Sequence, residues 1–114
     1  MVHAIRIHQN GGPEVLQWES VDVPAPGPGQ VRLKHHAIGV NFIDIYQRSG
    51  LYKLPMPFTL GSEGAGEVVA VGEGVTDFKV GDRGAYAGAL GGYAEVRVMP
   101  ADRLVKLTTR PAQP

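Results

Sequence analysis

Glycine and proline stand between short apolar runs along this chain, and their placement limits the fold more than any other feature. The 114 residues include 16 glycines and 9 prolines, spread along the chain rather than gathered in one tract. Proline has no backbone N–H to donate to a sheet ladder, and glycine supplies the backbone conformations that tight turns need. The segment PAPGPG at 24–29 is therefore predicted to be an exposed connector. The pattern as a whole favours a turn-rich, mainly β protein with little helix.

The apolar runs between these residues have the alternation of short strands. At 31–40, Val31 and Leu33 alternate with Arg32 and Lys34, which predicts one buried face and one solvated face. Two earlier strands, at 3–8 and 15–23, are expected to be joined by a turn around GGP at 11–13. Further strands are predicted at 67–71, 83–87, 93–99 and 103–107. Eight or so short strands imply a β-barrel or a sandwich.

The segment NFIDIYQRSG at 41–50 is the one convincing helix signal. Asn41 can cap the N-terminus, apolar and aromatic residues follow, and Gly50 can end the helix, which is at most about three turns long. The segment LPMPFTL at 54–60 contains two prolines and is predicted to be a loop.

The glycine-rich segment GSEGAGEVVAVGEG at 61–74 invites comparison with a nucleotide-binding loop. A dinucleotide fingerprint needs G-x-G-x-x-G before a helix, but Val69 and Asp77 stand where the two registers need their last glycine. No G-K-[ST] sequence occurs either. The interpretation that remains is structural: Gly64 and Gly66 let a strand bend tightly or approach another backbone, and the later glycines form turns.

Composition excludes several classes of partner. Lysine plus arginine and aspartate plus glutamate number 11 each, so no net charge attracts nucleic acid or an anionic membrane. The chain has no cysteine, which excludes disulfides and thiolate metal ligands. It has neither an apolar signal core at its N-terminus nor an apolar run of about 20 residues. We expect one soluble, cytoplasmic domain whose partners are small molecules or proteins.

Several motifs, taken in order, resemble a known family. AIGVNFIDIYQRSGLY (37–52), GSEGAGEVVAVGEGV (61–75), VGDR (80–83) and YAEVRVMPADRLVKLT (93–108) resemble the N-terminal catalytic domain of the medium-chain dehydrogenase/reductase superfamily, and within it the zinc-independent NADPH:quinone oxidoreductases. The segment HQNGGPEVLQWESVDVPAPGPGQVRLK (8–34) also fits that family. The resemblance spans nearly the whole chain. It implies a mainly β, GroES-like, partly open β-barrel with one or two short helices.

The resemblance also predicts that no metal is bound. Zinc members of the superfamily hold their catalytic metal with a cysteine and a histidine at the positions of Asn41 and Ser62, and an amide and a hydroxyl cannot replace those ligands. The four histidines do not supply a site instead. His35 and His36 are adjacent on a predicted strand and face opposite ways, while His3 and His8 are expected at the surface.

The activity implied by the resemblance is hydride transfer from NADPH to a quinone. The product anion spreads its charge over an aromatic ring, so hydrogen-bond donors can serve where a simple ketone would need a Lewis acid. The implied site residues are Asn41, Asp44, Tyr46 and Tyr52 as catalytic groups, Asn41 and Arg48 toward the cofactor, and Tyr46, Tyr52 and Ser62 toward the substrate.

Helix geometry tests these assignments independently. Asn41, Asp44 and Arg48 are three and four residues apart and share one face, whereas Tyr46 points elsewhere on a regular helix. Either the segment is irregular or the residues divide between two surfaces. A purely structural interpretation also stays open, in which Asn41 caps the helix, Asp44 and Arg48 form a solvated ion pair, and Tyr46 packs on Phe42.

Family members continue into a Rossmann cofactor domain, whereas this chain stops at TTRPAQP, 108–114. We therefore expect 1–114 to be a GroES-like domain without the cofactor domain, from a homodimeric parent, and to have little or no activity alone. Two alternatives remain: an enal or enone reductase domain of the same superfamily, and a stand-alone GroES-like binding or co-chaperone module. A co-chaperone ring should show a long mobile loop, for which LPMPFTL is the sole candidate.

Overall fold

Eight short strands and one helix make up the described part of the chain, residues 2–51 and 54–107 of a computed structural model. The helix α1 spans Phe42–Ser49, and two 3-10 turns span Pro13–Val15 and Ala101–Arg103. The strands are β1 (Val2–Ile7), β2 (Gln17–Val21), β3 (Gln30–Ile38), β4 (Phe58–Thr59), β5 (Glu63–Val71), β6 (Arg83–Ala87), β7 (Val96–Pro100) and β8 (Val105–Leu107). The prediction of a mainly β chain with about eight strands and one short helix is confirmed.

The strands form two antiparallel sheets that do not close into a full barrel. One sheet has the order β2-β1-β4 and the other β7-β3-β5-β6-β8. A bridge between Ala4 and Ala94 joins them, and the Ile5 N–H donates to the Tyr93 carbonyl at 2.8 Å beside it. The fold is therefore a partly open β-barrel, as the resemblance implied.

Two apolar clusters hold the sheets. Val31 and Leu33 on β3 are fully buried, whereas the next residue, Lys34, is exposed, so the alternation on this strand was predicted correctly. Fully burying a side chain of this kind stabilises a protein by about 1.5–3 kcal/mol. The larger cluster lies within the five-stranded sheet and contains Val31, Leu33, Val68, Phe78, Tyr86, Met99 and Leu104. The smaller one lies under the three-stranded sheet and contains Ile7, Val15, Phe58 and Leu60.

The helix begins and ends where the sequence predicts. Asn41 is the N-cap residue, with extended backbone angles, and Gly50 ends the helix in the left-handed conformation with φ of 93°. The Gly50 N–H donates to the Tyr46 carbonyl. A left-handed residue at this point is a common way for a helix to end, and glycine adopts it without steric cost.

Gly66 in β5 allows the backbones of β5 and β3 to approach each other closely. The strand starts at Glu63 and runs through Gly64 and Gly66, so it is longer than the predicted 67–71. A Cβ at Gly66 would collide with the Lys34 backbone carbonyl on the neighbouring strand β3. The structural interpretation of this glycine is confirmed, since no side chain fits between the two backbones.

Several predicted boundaries were wrong. Strand β7 begins at Val96 rather than at 93, because Tyr93 and Ala94 link the two sheets instead of continuing a ladder. The predicted loop at 54–60 contains strand β4, whose Phe58 is buried and pairs with Ile7. Strand β2 starts two residues later than predicted because a 3-10 turn buries Val15, and another such turn precedes β8.

None of the helical segments within 2–51 and 54–107 has the length and apolar character required to cross a membrane.

Candidate functional site

Helix α1 buries its polar side and exposes its apolar side. Asp44 is only 3% exposed, whereas Phe42 is 78% and Tyr46 is 42% exposed. We call the exposed set Phe42, Ile43, Ile45 and Tyr46 the outer face of α1. A soluble helix normally presents the opposite arrangement. An exposed apolar surface of this kind is typical of a binding surface, and it lies next to Asn41 at the start of the helix.

Asp44 joins the helix to the segment before β7. Its Oδ2 accepts a hydrogen bond from the Tyr93 hydroxyl at 2.7 Å and another from the Asn41 backbone N–H at 3.0 Å. Burial, together with the Asp44 carboxylate, raises the pKa of Tyr93, so the phenol stays protonated and donates. The other carboxylate oxygen of Asp44 is buried with no hydrogen-bond partner. Asp44 therefore acts through neighbouring groups and is not presented to solvent.

Arg48 is tied to the turn that follows β1. Its Nε donates to the Gly11 carbonyl at 3.2 Å, and the Gly11 N–H donates to the Arg48 carbonyl at 3.0 Å. The solvated ion pair between Asp44 and Arg48, left open above, is wrong: within the described ranges no salt bridge joins them, and Asp44 is buried. The reason is that each side chain finds a partner on a different segment of the chain.

Asn41 links the start of the helix to the start of β5. Its Nδ2 donates to Glu63 Oε1 at 2.9 Å. Ser62 is the neighbour of Glu63, and its carbonyl accepts the Ala89 N–H at 3.2 Å. The segments that carry Asn41 and Ser62 therefore meet in space. Across the described residues, His, Cys, Asp and Glu form no group of three that could hold a metal ion.

The other candidate residues lie apart from this junction. Tyr46 is on the outer face of α1, as the helix geometry predicted, so the candidate residues divide between an inner and an outer surface. Tyr52 lies outside the described residues. The structure thus brings together Asn41, Asp44 and the segment of Ser62, places Tyr46 on the outer face, and ties Arg48, on the same side of the helix as Asp44, to Gly11.

A shallow groove runs beside the Asn41 junction. Its volume is about 330 Å³, and its lining comes from the ends of β3, β5 and β6: Ala37, Ile38, Gly39, Glu63, Gly64, Ala65, Ala85 and Tyr86. We call it the Glu63 groove. A larger groove of about 670 Å³ shares Ala37 and Ile38 with it and continues past Val40 toward Trp18. Both volumes fall in the range of small-molecule sites.

Sequence reasoning missed a polar cluster of His35, Tyr86 and Arg97, of which Tyr86 lines the Glu63 groove and His35 lines the larger groove. His35 Nδ1 donates to the Ala94 carbonyl at 2.8 Å, so His35 Nε2 accepts from the Tyr86 hydroxyl at 2.7 Å. Arg97 lies over the Tyr86 ring, 5.0 Å from its centre. Burial lowers the pKa of His35 below 6.5. The signal was present, because the alternation on β3 sets His35 on the same face as the buried Leu33.

Glu63 and Tyr93 were also missed. Both lie in segments that carry the family resemblance, yet neither was singled out as a site residue, and their partners Asn41 and Asp44 lie 22 and 49 residues away in the sequence. No local pattern predicts a pairing over such separations.

Comparison with known proteins agrees with this geometry. The family model described as the alcohol dehydrogenase GroES-like domain matches residues 27–109. A quinone oxidoreductase of Pseudomonas aeruginosa is 55% identical over 109 residues, which are 94% of this chain and 34% of the relative. A 2-haloacrylate reductase of a Burkholderia species is 48% identical, again over 94% of this chain and 34% of the relative. This chain therefore spans about a third of the length of these relatives.

Among solved structures, the Escherichia coli quinone oxidoreductase complexed with NADPH superposes with a TM-score of 0.90 at 45% identity, over 93% of this chain and 33% of that one. The described fold and the family match thus point the same way. The chain belongs to the alcohol dehydrogenase GroES-like domain family, and it resembles the form of that domain found in quinone oxidoreductases of the medium-chain dehydrogenase/reductase superfamily.

Proposed function

We propose that this chain is the acceptor-side domain of a zinc-free oxidoreductase that transfers hydride from NADPH to a quinone. The observation that supports it best is the Asn41 amide, which donates at 2.9 Å to Glu63, a residue that lines a groove of about 330 Å³. An oriented amide donor beside an apolar surface suits a flat acceptor that carries oxygens at its rim.

The reaction needs little from the protein beyond placement and hydrogen bonds. NADPH, when bound, supplies a hydride; the quinone gains that hydride and one proton and becomes a hydroquinone. Negative charge develops on a quinone oxygen and is shared with the ring. An N–H of Asn41 donates to that oxygen, and the outer face of α1 keeps water away from one side of the acceptor.

The residues present fit one end of NADPH and not the other. The amide of Asn41 and the apolar outer face suit the uncharged nicotinamide and its neighbour. The sequence has neither G-x-G-x-x-G nor G-K-[ST], so a separate Rossmann domain outside these 114 residues would hold the phosphates. The bond of Arg48 to Gly11 makes this arginine a support for the helix more than a phosphate ligand.

The remaining candidates take different roles in this proposal. Tyr46 on the outer face and Ser62 beside Glu63 contact the acceptor, and Tyr52 is predicted to do the same. Asp44 is too deeply buried to receive a substrate proton and instead positions Asn41 through the backbone N–H of that residue.

A second candidate is reduction of a conjugated acid, because a 2-haloacrylate reductase is 48% identical to this chain. The Glu63 carboxylate lines the groove beside Asn41 and would repel an acrylate anion. This charge favours a neutral quinone over a conjugated carboxylate as the acceptor.

The test is a substrate panel with the full-length gene product. NADPH oxidation is followed with 1,4-benzoquinone, 2-chloroacrylate and cyclohexanone, before and after treatment with EDTA. We expect turnover with the quinone, little with the simple ketone, and no loss after EDTA. The 114-residue chain alone should show little or no turnover. Activity that requires added zinc, or a ketone that is reduced faster than the quinone, would refute the proposal.

A further inference from the structure

Glu63 lies at the point where the first turn of the helix meets the sheet. Its carboxylate occupies the space beside Gly39, since a Cβ at Gly39 would collide with the Glu63 side chain. The Gly39 N–H also donates to the Glu63 carbonyl at 3.2 Å. The Glu63 backbone is therefore bonded to the residue that follows β3, and its side chain passes through the space beside Gly39 to reach Asn41.

The chemistry of this pair fixes the orientation of the Asn41 amide. A side-chain amide can be turned over so that its oxygen and nitrogen exchange places, and packing alone hardly distinguishes the two states. A carboxylate has no hydrogen to donate, so it binds only the nitrogen side. One N–H of Asn41 points to Glu63 Oε1, and the second N–H is left to offer to a ligand.

We propose that Glu63 is a positioning residue that makes Asn41 a hydrogen-bond donor toward an acceptor oxygen of the bound ligand. This inference rests on the proposed function for the identity of the ligand and deepens it. The site then accepts a carbonyl-type oxygen at Asn41, because a ligand that presents an N–H or O–H there meets another donor.

The charge of Glu63 allows two roles of this residue to be distinguished, an electrostatic effect alone and the orientation of Asn41. The negative charge of Glu63 disfavours the charge that develops on the acceptor oxygen nearby. Removing the Glu63 charge should therefore speed the reaction if Glu63 does nothing else. If Glu63 instead orients Asn41, Glu63→Gln slows the reaction, since glutamine can bind either side of the Asn41 amide and leaves only the helix cap, in which the Asp44 N–H donates to the Asn41 side chain, to hold its orientation.

The first test uses NMR and needs no activity. The chain contains two asparagines, Asn10 and Asn41, so labelling with [15N]asparagine gives two side-chain amide pairs, and Asn10 serves as the internal reference. We expect one Asn41 proton to be protected from solvent exchange and to shift as the sample is taken from neutral pH to about pH 3.5, the range in which carboxyl groups titrate. In Glu63→Gln the shift disappears and protection falls by about tenfold or more.

The matched control is Glu67→Gln. Glu67 lies on the same strand, is half exposed, and approaches His36 at 3.8 Å rather than Asn41. The Glu67→Gln substitution removes the same charge as Glu63→Gln and should leave the Asn41 side-chain signals unchanged. If Glu63→Gln does not fold, the pH dependence of the Asn41 side-chain NMR signals in the unaltered chain still tests the contact with Glu63. An Asn41 pair that ignores pH, or that is equally protected in both variants, overturns the proposal.

The second test uses the full-length gene product. Glu63→Gln is expected to lower kcat for 1,4-benzoquinone by roughly tenfold or more, with a smaller change in KM, while Glu67→Gln changes neither. Unchanged or higher kcat in Glu63→Gln overturns the positioning role. If the full-length gene product reduces no quinone and yet the NMR results are as expected, the proposed function fails and the orientation of Asn41 by Glu63 stands.

Discussion

Replacing Tyr93 with phenylalanine removes one hydroxyl and leaves the buried Asp44 carboxylate with a single partner. In the structure this carboxylate is 3% exposed and accepts two hydrogen bonds, from the Tyr93 hydroxyl at 2.7 Å and from the Asn41 N–H at 3.0 Å. Its second oxygen has no hydrogen-bond partner. The group is already poorly solvated, so the loss of the shorter bond cannot be made up by water without opening the contact between helix and sheet.

The expected loss of stability follows from the charge of the acceptor. A hydrogen bond to a charged group contributes about 1.5–3 kcal/mol, against about 0.5–1.5 kcal/mol for a bond between neutral groups. Tyr86→Phe is the comparison, because the Tyr86 hydroxyl donates to the neutral ring of His35 at 2.7 Å and is approached by the Arg97 side chain, but has no carboxylate partner. Tyr93→Phe should therefore lower the free energy of unfolding roughly twice as much as Tyr86→Phe does.

Urea unfolding of the chain, followed by far-UV circular dichroism, measures both values. The slope of the free energy against urea should stay constant, so that the change in midpoint reports stability. In an Asp44→Asn background, Tyr93→Phe should lose its excess over Tyr86→Phe, since the acceptor is then neutral. A loss for Tyr93→Phe no larger than that for Tyr86→Phe would show that Asp44 does not depend on Tyr93.

Two further predictions concern the sheets. Burial lowers the folded-state pKa of His35 below 6.5, so the neutral ring stabilises the fold above that pH and this contribution is lost as the pH falls through the folded pKa. His35→Gln should therefore remove this part of the fall in unfolding free energy between about pH 7.5 and 5.5. An unchanged pH dependence in this variant would contradict the prediction. Gly66→Ala places a Cβ against the Lys34 carbonyl and should lower stability by about 1–3 kcal/mol, whereas Gly27→Ala, which meets only the Gln30 side chain within 4 Å, should have little effect by the same urea assay.

Local patterns predicted the elements of this fold well where their cause is local. The alternation on β3 placed Val31 and Leu33 in the core, and the capping residues Asn41 and Gly50 gave the helix boundaries. Predictions failed where a distant contact decides the outcome. Tyr93 left its expected strand because its backbone bonds to Ile5 and Leu60 on other segments. Such contacts depend on the arrangement of the two sheets, which no window of sequence contains.

The candidate site was predicted in part for the same reason. The motif resemblance drew attention to Asn41 and Asp44, and the structure brings them together. The residues that hold them, Glu63 and Tyr93, come from β5 and from the link between the sheets. One interpretation left open for the amphipathic helix had Asp44 and Arg48 in solvent, since periodicity gives the faces of a helix but not which face is buried. Here the buried side is the polar one.

Helix α1 buries its polar side, and this arrangement links the stability of the fold to the geometry of the site. Burial of apolar side chains has no preferred direction, so a helix held only by such contacts tolerates small rotations about its axis. Hydrogen bonds are directional. The bonds from Tyr93 to Asp44, from Arg48 to Gly11 and from Asn41 to Glu63 hold α1 from three segments of the chain. Together they fix the rotation of the helix, and with it the direction of the Asn41 amide, while the apolar residues of the outer face stay exposed. Burying a carboxylate is costly in free energy, and this arrangement offers a physical reason for keeping one at Asp44.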